Sequence, residues 1–311
     1  MTTTTTRPTV RTGNSKSARQ LRWTREMNEV RFFGVARWVV IVLLLIATVF
    51  PFYYMGFLSF QGAGAVLEQP GALWVAISKL NFDAYKTVMT PVSSGGDGFL
   101  SFIANSGMLA GGTVVLTLLV SIPGSYAVSR LRFFGRRQVS VLFLAVYLFP
   151  SILLAVPLFV FFTRVGLSGS LVAVLIVYIS QSVAVSIYML RNYFDTIPVS
   201  LEEAAALDGC GRLATMWRIS LPLARPAILA NGLFVFMFAW NEFLFALLFL
   251  VQDRSRWTVS LGLDELTGNS VDVPTTVLMA AAVITTIPII ILFFASERLL
   301  ADGLTSGAEK G

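Results

Sequence analysis

The chain has 311 residues, 56% of them hydrophobic and only 13% charged, with 23 Lys and Arg against 17 Asp and Glu for a net charge of +6. A soluble domain carries about a quarter charged residues, so a water-coated globule is excluded, as is a disulfide-built chain, since Cys210 is the single cysteine. The lack of histidine removes Ser/His/Asp triads, Cys/His dyads and His-ligated metals, and the basic balance is accounted for by membrane orientation without any nucleic acid.

Residues 1–18 are Thr-rich, carry no apolar run and predict a disordered tail. Residues 19–37 predict an amphipathic interfacial helix, with Trp23, Met27 and Val30 on one face and the i,i+4 pairs Arg22–Glu26 and Arg25–Glu29. A spanning helix needs about 20 apolar residues. Six segments within 38–298 qualify: Trp38–Phe60, Phe99–Ser129, Val139–Phe162, Leu171–Leu190, Ala227–Val251 and Thr275–Ser296. The first starts too far from the N-terminus, and is too long, for a cleaved signal peptide. The fold class is therefore an all-α membrane protein with six transmembrane helices. Pro123, Pro150, Pro157 and Pro288 predict kinks, and Gly107 with Gly111 predicts close helix packing in the second span.

Of the 23 basic residues, 18 fall in the tails and the second and fourth connections, and five in the others. The positive-inside rule then places both termini in the cytoplasm of a multi-pass protein. Arg130, Arg132, Arg136 and Arg137 read as topology determinants. The long connection Gln61–Gly98 is Gly- and Pro-rich and faces the other side.

The cytoplasmic connection 192–225 is the most informative stretch. Pro198 discourages helix before it, Ser200 and Glu203 form an S-x-x-E capping box, and Glu202 with Glu203 suits a helix N-terminus. The Ala run favours helix and Gly209 stops it. A second short helix, Leu213–Ile219, ends before Pro222. Glu203-Ala204-Ala205, three residues, Gly209, nine residues and Ile219-x-Leu221-Pro222 together resemble the EAA loop of ABC importer permeases. Two further stretches, Ala239–Leu247 and the tail Gly303–Gly311, resemble the carbohydrate branch, the maltose-type inner permeases. The resemblance covers the second to sixth spans and leaves the N-terminal extension unmatched.

That resemblance implies a type I ABC importer permease in a bacterial plasma membrane, with Glu202, Glu203, Ala204, Ala205, Asp208, Gly209, Leu221 and Pro222 coupling it to an ATPase subunit. It implies as partners two nucleotide-binding subunits, a second homologous permease and an extracytoplasmic sugar-binding protein, besides membrane lipid. It also implies that the tail 299–311 reaches the nucleotide-binding dimer. The chain has no G-x-x-x-x-G-K-[ST] stretch, so ATP and Mg belong to the partner subunits, this chain holds no cofactor of its own, and it is not an enzyme.

Polar groups inside spans are costly and often functional. Helical spacing places Asn231, Phe234, Phe238, Glu242 and Phe245 on one face of the fifth span, where rings and hydrogen-bonding groups alternate as a sugar requires. Tyr178 and Gln181 share a face of the fourth span, and Asn105 lies near the outer end of the second. Tyr178, Gln181, Asn231, Phe238, Asn241 and Glu242 are thus the candidate translocation path, with packing or a helix seam as the competing role for Glu242. The function expected is import of an oligosaccharide or disaccharide, maltose- or trehalose-like. The alternatives are an ABC permease for glycerol phosphodiesters or osmoprotectants, a proton-coupled transporter using Glu242, and a membrane enzyme, for which the spans offer almost no catalytic groups.

Overall fold

A chain in hydrocarbon must satisfy its backbone within itself, so long apolar runs fold as helices. The computed structural model describes residues 15–69, 71–74, 79–268 and 273–308, with backbone alone for 15–32, 67 and 298–308. Among the described residues every regular element is helical and no strand forms. Four helices are long and apolar enough to cross a membrane, and six spans result if each of two sharply bent helix pairs, Arg136–Leu148 with Ile152–Arg164 at 93° and Arg212–Leu223 with Arg225–Asn241 at 75°, counts as one.

The chain divides into two units, 1–54 and 55–311. The first is α1 (Ser15–Ser59) as far as Tyr54. Interfacial segment and first span are here one continuous helix, apolar from Phe33 onward and accommodating Pro51. The predicted tail 1–18 lies outside the described residues up to 14; residues 15–18 are helical, not disordered. The side chains of Trp23, Met27 and Val30 also lie outside the description.

The second unit is built on α4 (Phe99–Arg130), which packs against α7 (Leu171–Phe194) and α11 (Arg225–Asn241). The face of α4 that carries this packing is a run of small residues: Ser106, Ala110, Thr113, Thr117, Ser121, Ser125 and Ser129 are all buried. Small side chains let helix backbones approach where lipid supplies no hydrophobic drive. A Cβ on Gly112 or Gly124 would press on Leu175 or Ile187 at 3.3 Å, whereas one on Gly107 or Gly111 would meet nothing within 4 Å. The expectation for Gly107 and Gly111 is corrected: they lie off the packed face, and the seam is formed by the residue before each, Ser106 and Ala110, and by the small residues that follow from Thr113 to Ser129.

Two predicted spans are broken. The third divides into α5 (Arg136–Leu148) and α6 (Ile152–Arg164), inclined at 93° about Phe149-Pro150-Ser151. Pro150 lacks an amide and restrains the residue before it, which accounts for a break there. Pro123, Pro157 and Pro288 remain inside helices. The fifth divides into α11 and α12 (Leu244–Leu250) at Glu242-Phe243. The last helix, α14 (Thr275–Ala308), lies against α11, where the Trp240 indole donates to the Thr285 carbonyl at 3.3 Å. It carries the predicted tail on as helix to Ala308; 309–311 lie outside the described residues, as do the side chains of 298–308.

The connections that follow α1 and α12 lie at the end of the unit where α4 starts. Between Gln61 and Gly98 stand α2 (Ala63–Glu68) and α3 (Asp83–Met89), and α13 (Val259–Gly268) follows α12. Asn105 donates to the carbonyls of Ser255 and Trp257 at 2.9 and 3.0 Å, and Ser106 accepts from the Val259 amide. Asn105 therefore ties down this end rather than lining a path.

Candidate functional site: the 192–225 loop and the bend cavity

The loop 192–225 rests on a small core of its own. Tyr126, Leu190, Phe194, Ile197, Met216 and Ala224 are buried together, with the rings of Tyr126 and Phe194 edge to face at 5.8 Å. On this base stands α8 (Val199–Leu207), preceded by Pro198. No side chain caps its start, so the Ser200–Glu203 capping box does not form: the helix begins two residues earlier than that box requires, and Ser200 is already inside it.

Glu202 points inward. Its carboxylate accepts from the Arg130 Nε at 2.9 Å, the Ser220 hydroxyl at 2.8 Å and the Tyr126 hydroxyl at 3.3 Å. Arg130 also donates through Nη2 to the Ile197 carbonyl at 2.7 Å. Both charged side chains are about nine-tenths covered, at 10% and 11% exposure. A pair so buried requires just such extra hydrogen bonds to offset its desolvation. Glu202 is a tie between the loop and α4, and Arg130, read from the sequence as a topology determinant, is a structural partner. Ala205 is buried beneath the helix as well.

Glu203, Ala204, Asp208 and Gly209 face outward. Gly209 has φ +85°, and its amide and that of Cys210 donate to the Ala206 and Ala205 carbonyls at 3.1 and 2.9 Å. This left-handed closure satisfies the last carbonyls of α8 and turns the chain out of the helix. Beyond it, α9 (Arg212–Thr215) widens into a π turn over Met216–Ser220 before α10 (Leu221–Leu223). Pro222 has no amide to continue the α ladder, and the π turn absorbs that loss. Leu221 and Pro222 are half-buried at this hinge rather than on the outer face. The outer face carries instead Leu207, Leu213 and Trp217, which are 90%, 73% and 61% exposed. Apolar residues inside so polar a connection were the signal for them.

The second site is a cavity of about 660 Å³ under the α5–α6 bend. Phe149, Ser151 and Leu154 close it on one side, Gln181 and Ser182 of α7 on another, and Phe238 of α11 on a third. Gln181 Nε2 is buried without a hydrogen-bond partner among the described residues. Of the six predicted path residues, Gln181 and Phe238 line this cavity and the others do not. Tyr178 is fully buried one layer behind, its ring edge to face with Phe238 at 6.0 Å. Asn231 is also fully buried, with Nδ2 3.6 Å from the Met189 sulfur. Asn241 is turned back onto its own helix, donating to the Met237 carbonyl at 2.8 Å.

Glu242 is the largest correction to the helical-face expectation. Its backbone is extended, so α11 ends before it, and the predicted stripe is interrupted. The carboxylate accepts from the amides of Phe245 and Ala246 at 2.9 and 3.2 Å, capping α12. Its carbonyl accepts from the Ser260 hydroxyl at 2.7 Å, and Phe245 is buried in the core. The Tyr178 hydroxyl, buried without a partner at full hydrogen-bond geometry, is within electrostatic reach of this carboxylate. A carboxylate whose oxygens accept from main-chain amides stabilises the start of the next helix at this break. No cluster of three or more His, Cys, Asp or Glu side chains fit to hold a metal occurs among the described residues.

The chain is similar to known proteins in sequence and in fold. Residues 120–306 match the model of the family described as "Binding-protein-dependent transport system inner membrane component". The chain is 36% identical to the inner membrane ABC transporter permease protein YcjP of Escherichia coli, over 87% of this chain and 94% of that one. It is 34% identical, over the same shares, to the trehalose/maltose transport system permease protein MalG of Thermococcus litoralis. The fold matches a chain of a bacterial ABC transporter involved in import of the acidic polysaccharide alginate, with a TM-score of 0.70, 25% identity, and 86% and 96% of the two chains covered. The chain belongs to the inner-membrane components of binding-protein-dependent transport systems, the permeases of ABC importers.

Proposed function

We propose that this chain is the permease subunit of an ATP-driven sugar importer of a bacterial plasma membrane, taking a disaccharide or oligosaccharide through the bend cavity. The observation that carries the reading is the 192–225 loop: a short helix fixed from beneath by Arg130 and Glu202, closed by Gly209 and ending in exposed Leu207, followed by a second helical stretch that exposes Leu213 and Trp217. Isolated exposed apolar residues are ordinary, but three within eleven residues of an anchored connection suit an interaction site. Its partner in this reading is a nucleotide-binding subunit that carries ATP and Mg. The termini and this loop then lie in the cytoplasm, a second permease completes the pathway, and an extracytoplasmic binding protein delivers the sugar.

The cavity adds the substrate side. Phe238 offers a ring face, Gln181 an unused amide donor, and Ser180 and Ser182 flank it. Rings and hydrogen-bonding groups suit the C–H faces and hydroxyls of a sugar, and a trehalose/maltose permease among the relatives favours a glucoside. The test is to express the chain with its genomic neighbours, purify it by a tag and identify what accompanies it. A P-loop ATPase and a second permease are expected, with ATPase activity stimulated by a sugar-loaded binding protein. Recovery of a stable, monodisperse chain alone would overturn the reading.

A further inference from the structure

A second cavity, of about 480 Å³, opens between the first turns of α5 and the last turns of α7. Its mouth carries Arg136, Arg137 and Arg191, and its walls continue along the two helices as Val141, Leu144 and Tyr188. Guanidinium groups stay charged at any accessible pH, yet the three are not used alike. Arg136 closes the end of α4, donating to the carbonyls of Val128 and Ser129 at 2.5 and 2.6 Å. Arg191 Nε lies 3.5 Å from the Asp195 carboxylate and is buried without a hydrogen-bond partner. Asp195 is already engaged, accepting the Ser129 hydroxyl at 2.6 Å. Arg137 is exposed and forms no ion pair among the described residues. No carboxylate lines the cavity, and Asp195 beside it offsets only one of the three guanidinium charges, so its mouth keeps a positive excess.

The position of that charge identifies the ligand. Arg136 and Arg137 stand at the start of α5, with Phe133 and Phe134 exposed just before them and Val141 and Leu142 exposed just after. Paired basic residues at the start of a helix whose exposed surface then turns apolar mark the edge of the hydrocarbon. The cavity is thus cationic at the interface and apolar toward the membrane interior. A free phosphate would use only the mouth, whereas a phospholipid uses both parts. We propose that this cavity binds an anionic phospholipid, its headgroup phosphate held by Arg137 and Arg191 and its acyl chain lying along Val141, Leu144 and Tyr188. Basic pockets between spanning helices recognise headgroups in this way. The site is independent of which solute the permease carries.

The full-length chain, in the complex with which it purifies, can be titrated in neutral detergent with phosphatidylglycerol or phosphatidylcholine and examined by native mass spectrometry and thermal midpoint. One phosphatidylglycerol is expected to be retained under conditions that strip phosphatidylcholine, with a saturable rise in midpoint. Arg137→Gln with Arg191→Gln should weaken that retention about tenfold or more, while Arg218→Gln, at an exposed arginine outside the cavity, should leave it unchanged. Leu144→Trp should reduce retention with every arginine intact, and it decides the matter if the double variant does not fold. Equal retention of the two lipids, indifference to both the arginine and the Leu144 variants, or an equal rise in midpoint with inorganic phosphate would each overturn the proposal. So would exclusion of lipid from the complex by a partner chain seated in the cavity.

Discussion

The Arg130 guanidinium and the Glu202 carboxylate meet at 2.9 Å across 72 residues of sequence, and this contact joins the last turn of α4 to the loop that reaches outward from the bundle. Removing one partner leaves the other as a buried, unpaired charge, at a cost of about 3–5 kcal/mol. Arg130→Gln and Glu202→Ala are each expected to lower the thermal midpoint of the purified chain and to abolish sugar-stimulated ATP hydrolysis. The double variant should recover part of the stability without recovering the coupling. A double-mutant cycle on midpoint and transport measures both; purely additive effects would show that the pair is not a unit.

Gly209 separates backbone strain from surface contact. With φ at +85° and open space around its missing Cβ, alanine there brings strain of about 1–2 kcal/mol and no clash. Gly209→Asn should be milder, because Asn tolerates the left-handed region. Gly209→Asp should leave the protein inserted but uncouple ATP hydrolysis from uptake. Parallel assays of insertion, ATPase activity and uptake distinguish the three, and normal uptake by the Asp variant would remove Gly209 from the coupling role.

Glu242 should behave as a helix cap. Glu242→Ala loses both amide contacts and is expected to cost about 1–2 kcal/mol, in the range of other capping losses. Glu242→Gln keeps one acceptor oxygen and should fall between. Uptake should follow stability in both and stay independent of a proton gradient. Full stability with abolished uptake in the Gln variant would return Glu242 to the path.

Within the cavity, Gln181→Ala and Phe238→Ala should raise the sugar concentration for half-maximal uptake by about tenfold, the size of one lost hydrogen bond or ring contact. Asn231→Ala and Tyr178→Phe, one layer back, should change stability more than affinity. Uptake kinetics with a saturating binding protein separate these outcomes; a lower maximal rate with an unchanged half-saturation point in the Gln181 variant would exclude substrate contact.

The apolar runs were legible because hydrocarbon leaves the backbone few choices, and the loop because its Gly and Pro positions have local conformational meaning. Side-chain direction inside the loop was less so. Glu202 and Glu203 are neighbours in sequence, but adjacent helical residues point about 100° apart, so only one can meet an outside partner; the structure turns Glu202 inward and Glu203 outward. The break at Glu242 carried no Pro or Gly. Its signal was the pair Asn241-Glu242, whose polar side chains compete for main-chain groups, and helical periodicity projected through it put Glu242 and Phe245 on a face that does not exist. For Gly107 and Gly111 the period was right and the phase was wrong by one residue.

The right-angled bend at Phe149-Pro150-Ser151 has a consequence for solvent. It lies about 20 Å along α5 from the arginine end, at 1.5 Å per residue, deep within the thickness of a bilayer. At the other break, Glu242 supplies acceptors from its own side chain. At this one, the amides of Ser151 and Ile152 find no acceptor among the described residues, and Leu148 and Phe149 are exposed. Hydrocarbon does not tolerate bare peptide groups at that depth. Such a bend is expected to be hydrated from the cavity beside it or covered by another chain rather than exposed to lipid.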